Sequence, residues 1–243
     1  MANKILKVLV IGDTHDSPHL PDKSRFGWFA KHIKKTKPDY VVQIGDFATF
    51  DSCTHYIRDD SYTAKIDKPI FMKDIESLDS AMEEFKYHLK DFKVKKYLTL
   101  GNHERRMWRK EDSNPTFYGM CQKEFFGTCK KYDWEVIPYG KYLMLGGVGF
   151  IHAPINPMGK EYGGEASERQ VANKSKIDIV FGHSHRAQDN RVSKISPIKN
   201  DFTRIINVGC ALPYNHIESY AKHSLTGWTY QICELKIWDN HIQ

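Results

Sequence analysis

Short apolar runs that lead into a glycine recur along the chain, and they predict the buried strands of an α/β fold. The runs are Lys4 to Ile11, Tyr40 to Ile44, Tyr97 to Leu100 and Ile177 to Phe181, each followed at once by Gly. Short apolar runs rich in β-branched residues favour strands that are buried on both faces, as in a parallel sheet. Polar residues placed directly after such strands face the crevice where open α/β sheets bind ligands.

Helical periodicity occurs between these runs. Helices are predicted over Phe26 to Lys37, Ile75 to Phe92, Pro115 to Lys131 and Glu165 to Lys174. The stretch from Phe47 to Asp74 has no clear period. Because long aperiodic stretches in compact domains are usually functional or mobile, residues 47–92 are predicted to form a loop and helix excursion over the site.

The second half of the chain is patterned as short strands. Residues from Trp134 to Ile151 form several apolar runs around a Gly146-Gly147 hinge, and the residues from Asn190 to Ile237 alternate between apolar and polar. Alternation with period two is typical of strands with one solvated face. The pattern therefore predicts antiparallel strands that complete a second sheet. No proline- or serine-rich linker interrupts the chain, which favours a single domain over residues 1–243.

The residues at the predicted strand ends are types used in metal and phosphate chemistry. They are Asp13, His15, Asp46, Asn102, His103, His152, His183 and His185. Each alone is better explained as a polar turn after a core strand, but the repetition is improbable by chance. Carboxylate oxygen and imidazole nitrogen together suit divalent first-row metals such as Mn, Fe or Zn. Asp46 is placed to bridge two ions, because its two oxygens can bind separate cations.

Composition and charge narrow the class of protein. The 5 cysteines are scattered without a Cys-x-x-Cys pair, which argues against a disulfide framework and makes a reducing, cytoplasmic compartment the expectation. The apolar N-terminal residues run into Gly12 as a first strand rather than a signal peptide, and no run is long enough to span a membrane. The formal net charge is +6, and the basic run Arg105 to Lys110 adjoins the candidate site. If this run opens a helix, its N-terminal amides and arginines favour a phosphate.

Taken in order, the strand-end blocks resemble the calcineurin-like metallophosphoesterase superfamily. Its signature is Asp-x-His, Gly-Asp, Gly-Asn-His-(Asp/Glu), His and Gly-His-x-His, and every block occurs in that order between Asp13 and His185. The resemblance implies a four-layer α/β/β/α sandwich of two mixed sheets flanked by helices, with the site at the strand ends. It also implies two divalent metal ions per chain, with Mn favoured and Fe, Zn, Ni or Co as alternatives.

The same resemblance implies a role for each residue. The implied ligands of the first ion are Asp13, His15, Asp46 and His185, and those of the second are Asp46, Asn102, His152 and His183. His103 resembles the family's general acid or phosphate-orienting histidine. The candidates to balance charge on the phosphoryl group are Arg105, Arg106 and Arg186.

One block departs from the Ser/Thr protein phosphatase branch, whose second block is Gly-Asp-x-x-Asp-Arg-Gly. Here Thr49 stands in place of the acid that pairs with the catalytic histidine, and Phe50 in place of the phosphate-binding arginine. Asp51 or Asp16 is a candidate substitute for that acid. The block looks more like the small phosphoesterases of bacteria and their phages, and it argues against protein phosphatase activity.

The leading hypothesis is a two-metal phosphodiesterase or nuclease that acts on nucleotides or nucleic acid. The basic and aromatic run Arg105–Lys110 suits a nucleotide or single strand through charge and base stacking, as does the aromatic-rich loop 47–62 with His55. A phosphomonoesterase acting on small molecules or phosphoproteins is the alternative. A non-catalytic metal-binding scaffold is disfavoured, because such proteins tend to lose ligands or the catalytic histidine, and this chain keeps them.

Overall fold

A computed structural model describes residues 4–54, 70–164, 166–197, 201–218, Ala221 and 226–243 of the protein. Within these residues the α-helices are α1 Ser24–Thr36, α2 Phe71–Leu89, α3 Arg105–Ser113, α4 Met120–Lys131 and α5 Ser167–Lys174. None of the described helices is both long enough and apolar enough to cross a bilayer. The remaining regular structure consists of two short 3-10 helices, Asp51–Cys53 and Pro115–Phe117, and two β-sheets that pack against each other.

The first sheet has six strands in the order β11-β10-β1-β2-β3-β4. Its strands are β1 Leu6–Ile11, β2 Tyr40–Gln43, β3 Lys95–Thr99, β4 Trp134–Ile137, β10 Ile232–Trp238 and β11 His241–Ile242. Strands β1, β2, β3 and β4 run parallel, so their carboxyl ends meet at one edge of the sheet. β10 was predicted to complete the second sheet, and this is wrong, because it pairs antiparallel with β1. Alternation predicts a strand with one solvated face but does not indicate which sheet has an edge free to receive it.

The second sheet has five strands in the order β5-β6-β7-β9-β8. Its strands are β5 Leu143–Leu145, β6 Val148–Phe150, β7 Ile179–Phe181, β8 Ala187–Ser193 and β9 Phe202–Val208. β6, β7 and β9 are parallel, whereas β5 and β8 pair antiparallel with their neighbours. The predicted hinge forms the β5–β6 turn, where Gly146 and Gly147 have φ angles of 55° and 82°. Glycine is needed there because L side chains rarely adopt such angles.

The two sheets pack face to face, and helices cover both outer faces. Alternate residues of β1 separate the layers: Val8 and Val10 lie in the core between the sheets, while Leu9 and Ile11 lie in the core beneath α1, α2 and α4. On the opposite side, α5 packs against β7 and β9 in a smaller apolar cluster. The chain is therefore the α/β/β/α sandwich that was predicted, with two mixed sheets.

The excursion predicted over residues 47–92 falls into three parts. Residues 55–69 lie outside the described residues. Before them, Phe47 and Phe50 are buried in the core beneath the helices. After them, α2 begins at Phe71 rather than at the predicted Ile75, and Phe71 packs on Phe50 with ring centroids 6.4 Å apart. Helix α2 thus belongs to the outer helical layer beside α1.

Candidate metal centre

Polar residues from the ends of five strands converge at the carboxyl edge of the two sheets. They follow β1, β2, β3, β6 and β7, and they are Asp13, His15, Asp46, Asn102, His103, His152, His183 and His185. These are the residues predicted from the sequence, and the structure brings all of them together. Three overlapping groups of their ligand atoms each lie within 4.8 Å of one another: Asp13–His15–His185, His15–Asp46–His103 and Asp46–His152–His183.

Four of these residues have left-handed backbone conformations that non-glycine residues rarely adopt. Their φ angles are 42° at His15, 49° at Asp46, 71° at His183 and 58° at His185. Conformations of this kind cost about 1–3 kcal/mol each and persist only where the surroundings enforce them. Two hydrogen bonds do so here: the His15 N–H donates to Asp46 O at 2.9 Å, and the His183 N–H donates to the Asp13 carboxylate at 3.0 Å.

Two glycines at the strand ends make room for the carboxylates. A Cβ atom on Gly101 would lie 2.1 Å from Asp46 Oδ1, and one on Gly182 would lie 2.3 Å from Asp13 Oδ1. The φ angle of Gly101 lies outside the left-handed region, so the backbone conformation itself does not require glycine there. The requirement at Gly101 is instead close approach, since any side chain there would displace the Asp46 carboxylate.

We name Asp13, His15 and His185 the inner group, because all three are buried. His185 Nε2 lies 3.1 Å from Asp13 Oδ2 and 3.0 Å from His15 Nε2. The second ring nitrogen of His15, Nδ1, is buried and has no hydrogen-bond partner among the described residues. The inner group therefore concentrates nitrogen and oxygen donors that are incompletely satisfied by the protein itself.

We name Asn102, His152 and His183 the outer group, because Asn102 and His183 are only half-buried. Asn102 Oδ1 lies 2.9 Å from His152 Nε2 and 3.0 Å from His183 Nδ1. His152 Nδ1 lies 3.0 Å from Ile44 O, and because a carbonyl only accepts, that nitrogen carries a proton. The other ring nitrogen of His152 therefore faces the centre of the outer group.

Asp46 lies between the inner and outer groups. Its Oδ2 is 3.3 Å from His152 Nε2 and 3.8 Å from His15 Nε2, whereas its Oδ1 accepts the His103 N–H at 2.8 Å. The sequence interpretation assigned one oxygen to each ion. In the structure the same oxygen faces histidines of both groups, and the other one anchors the turn that carries His103.

The buried charges are balanced within the cluster. Burial raises the pKa of a carboxyl, yet the neighbouring His152 and His103 hold the pKa of Asp46 well below its ordinary value. Burial lowers the pKa of an imidazole, but the carboxylates of Asp46 and Asp13 raise the pKa of His152 to about 10. The carboxylates of Asp46 and Asp13 therefore favour a positively charged neighbour.

His103 lies against the cluster and is held by a backbone carbonyl. Its Nδ1 donates to Thr49 O at 3.1 Å, which leaves Nε2 facing Asp46 Oδ2 at 3.9 Å. Burial lowers the pKa of His103 to about 4. Arg106 shares the Thr49 carbonyl at 2.8 Å and its Nη2 is 3.2 Å from His103 Nε2. Arg106 is therefore the arginine of the predicted set that contacts the catalytic candidate.

Neither proposed substitute acid contacts His103. Asp16 is buried and instead accepts from Lys23 Nζ at 2.7 Å and from Arg25 at 3.1 Å. Asp51 contacts Arg106 at 3.2 Å, so it reaches His103 only through that side chain. The support that an acid gives in the protein phosphatase branch is provided here by the main chain of Thr49, the residue that replaces that acid.

Glu104, the acidic residue of the third block, supports the backbone of the site. Its buried carboxylate accepts N–H groups from Asp46 at 3.0 Å, Phe47 at 2.8 Å and Gly101 at 2.8 Å. Two strand ends are thereby tied to one side chain. The sequence predicted Glu104 as part of a motif without assigning it a contact.

The other predicted phosphate contacts are arranged differently from the expectation. The Arg105 guanidinium lies over the Tyr139 ring at 4.7 Å, away from His103, and Arg186 donates to Gly164 O at 2.6 Å. The first amides of α3 are also occupied, since the N–H groups of residues 105–107 donate to carbonyls of the preceding turn. These amides are therefore not available to a phosphate, contrary to the prediction. His55 lies outside the described residues.

The comparison with protein families agrees with this geometry. A family model described as calcineurin-like phosphoesterase matches residues 6–187, which include every residue of both groups and His103. The chain belongs to the calcineurin-like phosphoesterase family. No curated protein matches the sequence.

Two solved structures are similar to this phosphoesterase in fold. Wild-type Vps29 from Entamoeba histolytica, crystallised with zinc, is 12% identical with a TM-score of 0.41, covering 98% of this chain and 89% of that one. TT1561 of Thermus thermophilus is 8% identical with a TM-score of 0.32, covering 85% of this chain and 90% of that one. Neither likeness is close enough to bear on activity.

The residues of this calcineurin-like phosphoesterase fit divalent metal ions. Ligand atoms at about 2.1 Å from one ion lie up to about 4 Å apart, which is close to the spacing within each group. The donors are carboxylate, amide and imidazole groups without thiolate, a set that suits divalent first-row metals. All 5 cysteines are free, and none belongs to the groups.

Glu218 lies beside the inner group, and sequence reasoning did not point to it. Its Oε1 lies 4.0 Å from the unpartnered Nδ1 of His15, and only 14% of its side chain is exposed. Burial and the nearby Asp51 carboxylate raise the pKa of Glu218 to about 7. Ligating histidines commonly donate their second nitrogen to a carboxylate, which holds the ring in place. Glu218 lies beyond the family-matched residues and follows no strand, so no sequence signal pointed to it.

Proposed function

We propose that this calcineurin-like phosphoesterase is a phosphodiesterase that acts on nucleotides or nucleic acid with two divalent ions. The observation that carries the proposal is the pair of donor groups around one oxygen of Asp46, with His103 beside that oxygen at 3.9 Å. Two ions that share a bridging ligand clamp a phosphoryl group in many phosphatases and nucleases. A single structural metal would not need a second donor group open to solvent.

The inner group with Asp46 would hold one ion, and the outer group with Asp46 would hold the other. Mn is the favoured metal, with Fe, Zn, Ni or Co as alternatives, because the donors are nitrogen and oxygen. When bound, such a pair supplies positive charge for the phosphoryl group and makes water acidic enough to attack near neutral pH. The protein's own contribution is to fix these donors by burial, strained backbone and hydrogen bonds.

His103 and Arg106 contribute proton transfer and charge. As a general acid, His103 gives a proton from Nε2 to the leaving oxygen, while the Nδ1–H bond to Thr49 O keeps the ring oriented. A pKa of about 4 leaves Nε2 without a proton in the free protein, so both roles require the negative charge of a bound phosphate, which raises that pKa. Arg106 lies beside Nε2 and would neutralise developing charge on the phosphoryl oxygens.

A phosphodiester is favoured over a phosphoprotein because of two features. Phe50 is buried at the position of the phosphate-binding arginine of protein phosphatases, so that anion contact is missing from the second block. The basic run that includes Arg105, Arg106 and Lys110 lies directly after the His103 turn, where a polyanionic chain would pass. A phosphomonoesterase remains the alternative that the experiment below distinguishes.

The test is hydrolysis by the full chain after reconstitution with Mn. The substrates are a nitrophenyl phosphomonoester, a nitrophenyl phosphodiester, a cyclic nucleotide and plasmid DNA. The proposal expects the diester to be cleaved with a higher kcat/KM than the monoester, and no cleavage without metal. A clear preference for the monoester would support the phosphomonoesterase instead. Metal binding without any turnover would support a non-catalytic role.

His103→Ala separates the two roles of that residue. A general acid matters most for a poor leaving group, so the loss should be roughly 10²–10⁴-fold on an alkyl ester and clearly smaller on a nitrophenyl ester. An orienting residue predicts similar losses on both. The metal content of the variant, measured by elemental analysis, should match the wild type, and His88→Ala on α2 is the matched control. Equal losses on the two esters reject the general-acid role.

A further inference from the structure

A cavity of about 490 Å³ lies beside the metal centre and has no role in the argument above. Its lining includes Leu100, Arg105, Trp108, Gln122, Phe126 and Tyr139. The volume falls within the usual range for small-molecule sites, and apolar walls with a few polar groups are typical of them. We propose that this cavity binds the base of a nucleotide whose phosphate lies at the metal centre, an inference that rests on the proposed function.

The cavity and the metal centre share one turn of the chain. Leu100 precedes and Arg105 follows the residues Gly101–Glu104, which include Asn102 of the outer group. The Arg105 N–H donates to Gly101 O at 3.1 Å, so the turn is closed. Consecutive Cα atoms are about 3.8 Å apart, which places Arg105 within about 11 Å of Asn102. This span is within the length of a nucleotide whose phosphate lies at the outer group.

A second connection runs through Glu161. The Tyr139 hydroxyl hydrogen-bonds to its carboxylate. Burial would raise the pKa of Glu161, but the bond from Tyr139 and the charges of His183 and Arg105 hold it low. Glu161 is thus close to both a member of the outer group and the cavity wall. The Tyr139–Glu161 hydrogen bond thus joins the cavity rim to a carboxylate whose charge interacts with His183.

The walls suit a flat heteroaromatic ring. Trp108 and Phe126 meet edge to face with centroids 5.9 Å apart, and the Arg105 guanidinium lies over Tyr139. Nucleic acid bases stack on aromatic rings and on arginine planes in proteins that bind single strands. Gln122 and Asp112 add polar groups to the lining, where ring nitrogens and exocyclic groups need partners.

The test compares two diesters that share a leaving group. Thymidine 5′-(4-nitrophenyl phosphate) and methyl 4-nitrophenyl phosphate differ only in the group that remains on phosphorus. With the Mn-reconstituted full chain we expect a lower KM for the thymidine ester. Trp108→Ala should raise that KM roughly 5–150-fold, the effect of losing one base-stacking contact, and should leave the methyl ester unchanged. Trp28→Ala, which removes a tryptophan that is 53% exposed on α1, is the control.

Phe126→Ala is the second variant, because Phe126 is 39% exposed and its loss threatens folding less. It should raise the KM of the thymidine ester in the same direction. Two results would overturn the base site. One is an equal KM of the wild-type protein for the two esters, and the other is a variant that changes the KM of both esters alike. If neither ester is hydrolysed, the phosphodiesterase proposal fails instead. Calorimetric titration with thymidine 5′-phosphate then tests the base site independently of catalysis. Binding that is weakened by Trp108→Ala supports the site, and binding that this substitution leaves unchanged rejects it.

Discussion

The inner and outer groups of the metal centre have similar donors but different surroundings. Asp13, His15 and His185 of the inner group are 2% exposed or less, and among the described residues the Glu218 carboxylate faces the second ring nitrogen of His15. In the outer group, Asn102 and His183 are partly exposed and already bonded to each other. On the proposed two-ion function, burial shields an ion in the inner group from water, whereas an ion in the outer group is exposed to it. We therefore expect the inner ion to bind more tightly and the outer ion to exchange.

The largest expected effect is at Asp46, because its Oδ2 faces both groups. Asp46→Asn should lose both ions. It should reduce activity by more than the roughly 10–100-fold that is typical when a residue hydrogen-bonded to a metal ligand is removed. Asn102→Ala should lose only the exchangeable ion. Elemental analysis of the folded variants measures this difference. Equal occupancy in the two variants would show that Asp46 does not bridge.

The next effect concerns the space that Gly182 leaves for the inner group. Gly182→Ala would place a Cβ 2.3 Å from Asp13 Oδ1 and 2.8 Å from Ile44 Cγ2, and overpacking of this kind costs about 1–3 kcal/mol. Denaturant unfolding checks the value. Gly127→Ala in α4 is the matched control, because nothing lies within 4 Å of its Cβ and it should stabilise by about 0.5–1 kcal/mol. Similar unfolding free energies for both variants would contradict the steric argument.

Glu218, whose Oε1 also lies 3.7 Å from His216 Nε2, is expected to act on the inner group rather than on the outer group. Glu218→Gln should weaken the tighter ion roughly 10–100-fold, because an amide holds the His15 ring less well than a carboxylate. Competition with a metal chelator measures each affinity separately. Glu234→Gln provides the control, since Glu234 is exposed and contacts His32 at 2.6 Å instead of the cluster. An unchanged inner affinity would mean that Glu218 does not support His15.

The smallest expected effect concerns Asp74, a buried carboxyl outside the metal centre. Asp74 is buried with the Ser52 hydroxyl as a hydrogen-bond donor, and burial raises its pKa to about 6, whereas histidines hold the pKa of Asp46 low. A raised folded-state pKa means that the stability contributed by Asp74 is complete below its ordinary pKa of 3.8 and is lost as pH rises through about 6. Asp74→Asn should therefore flatten the unfolding free energy between about pH 4 and pH 7. A pH profile identical to wild type would reject this account.

The fold and the members of the cluster were predictable because both depend on local patterns. Apolar runs that end in glycine predict buried parallel strands, and parallel strands bring their carboxyl ends to one edge. Asp13 and Asp46 therefore meet because β1 and β2 pair, whereas His185 follows β7 and reaches them from the second sheet. The α2 face from Ile75 to Leu89 was predictable for the same reason, since helical spacing determines which side chains are buried.

Long-range contacts decided the rest. Four features depend on residues that share no pattern along the sequence. They are the pairing of β10 with β1, the bond from His103 to Thr49 O, the different surroundings of Arg105 and Arg106, and the position of Glu218 near His15. The sequence by itself determined which donors exist and which strands carry them, because spacing along a strand sets side-chain direction. Only the tertiary structure decided which oxygen of Asp46 faces the histidines and which arginine lies beside His103, because those distances depend on how separate elements pack.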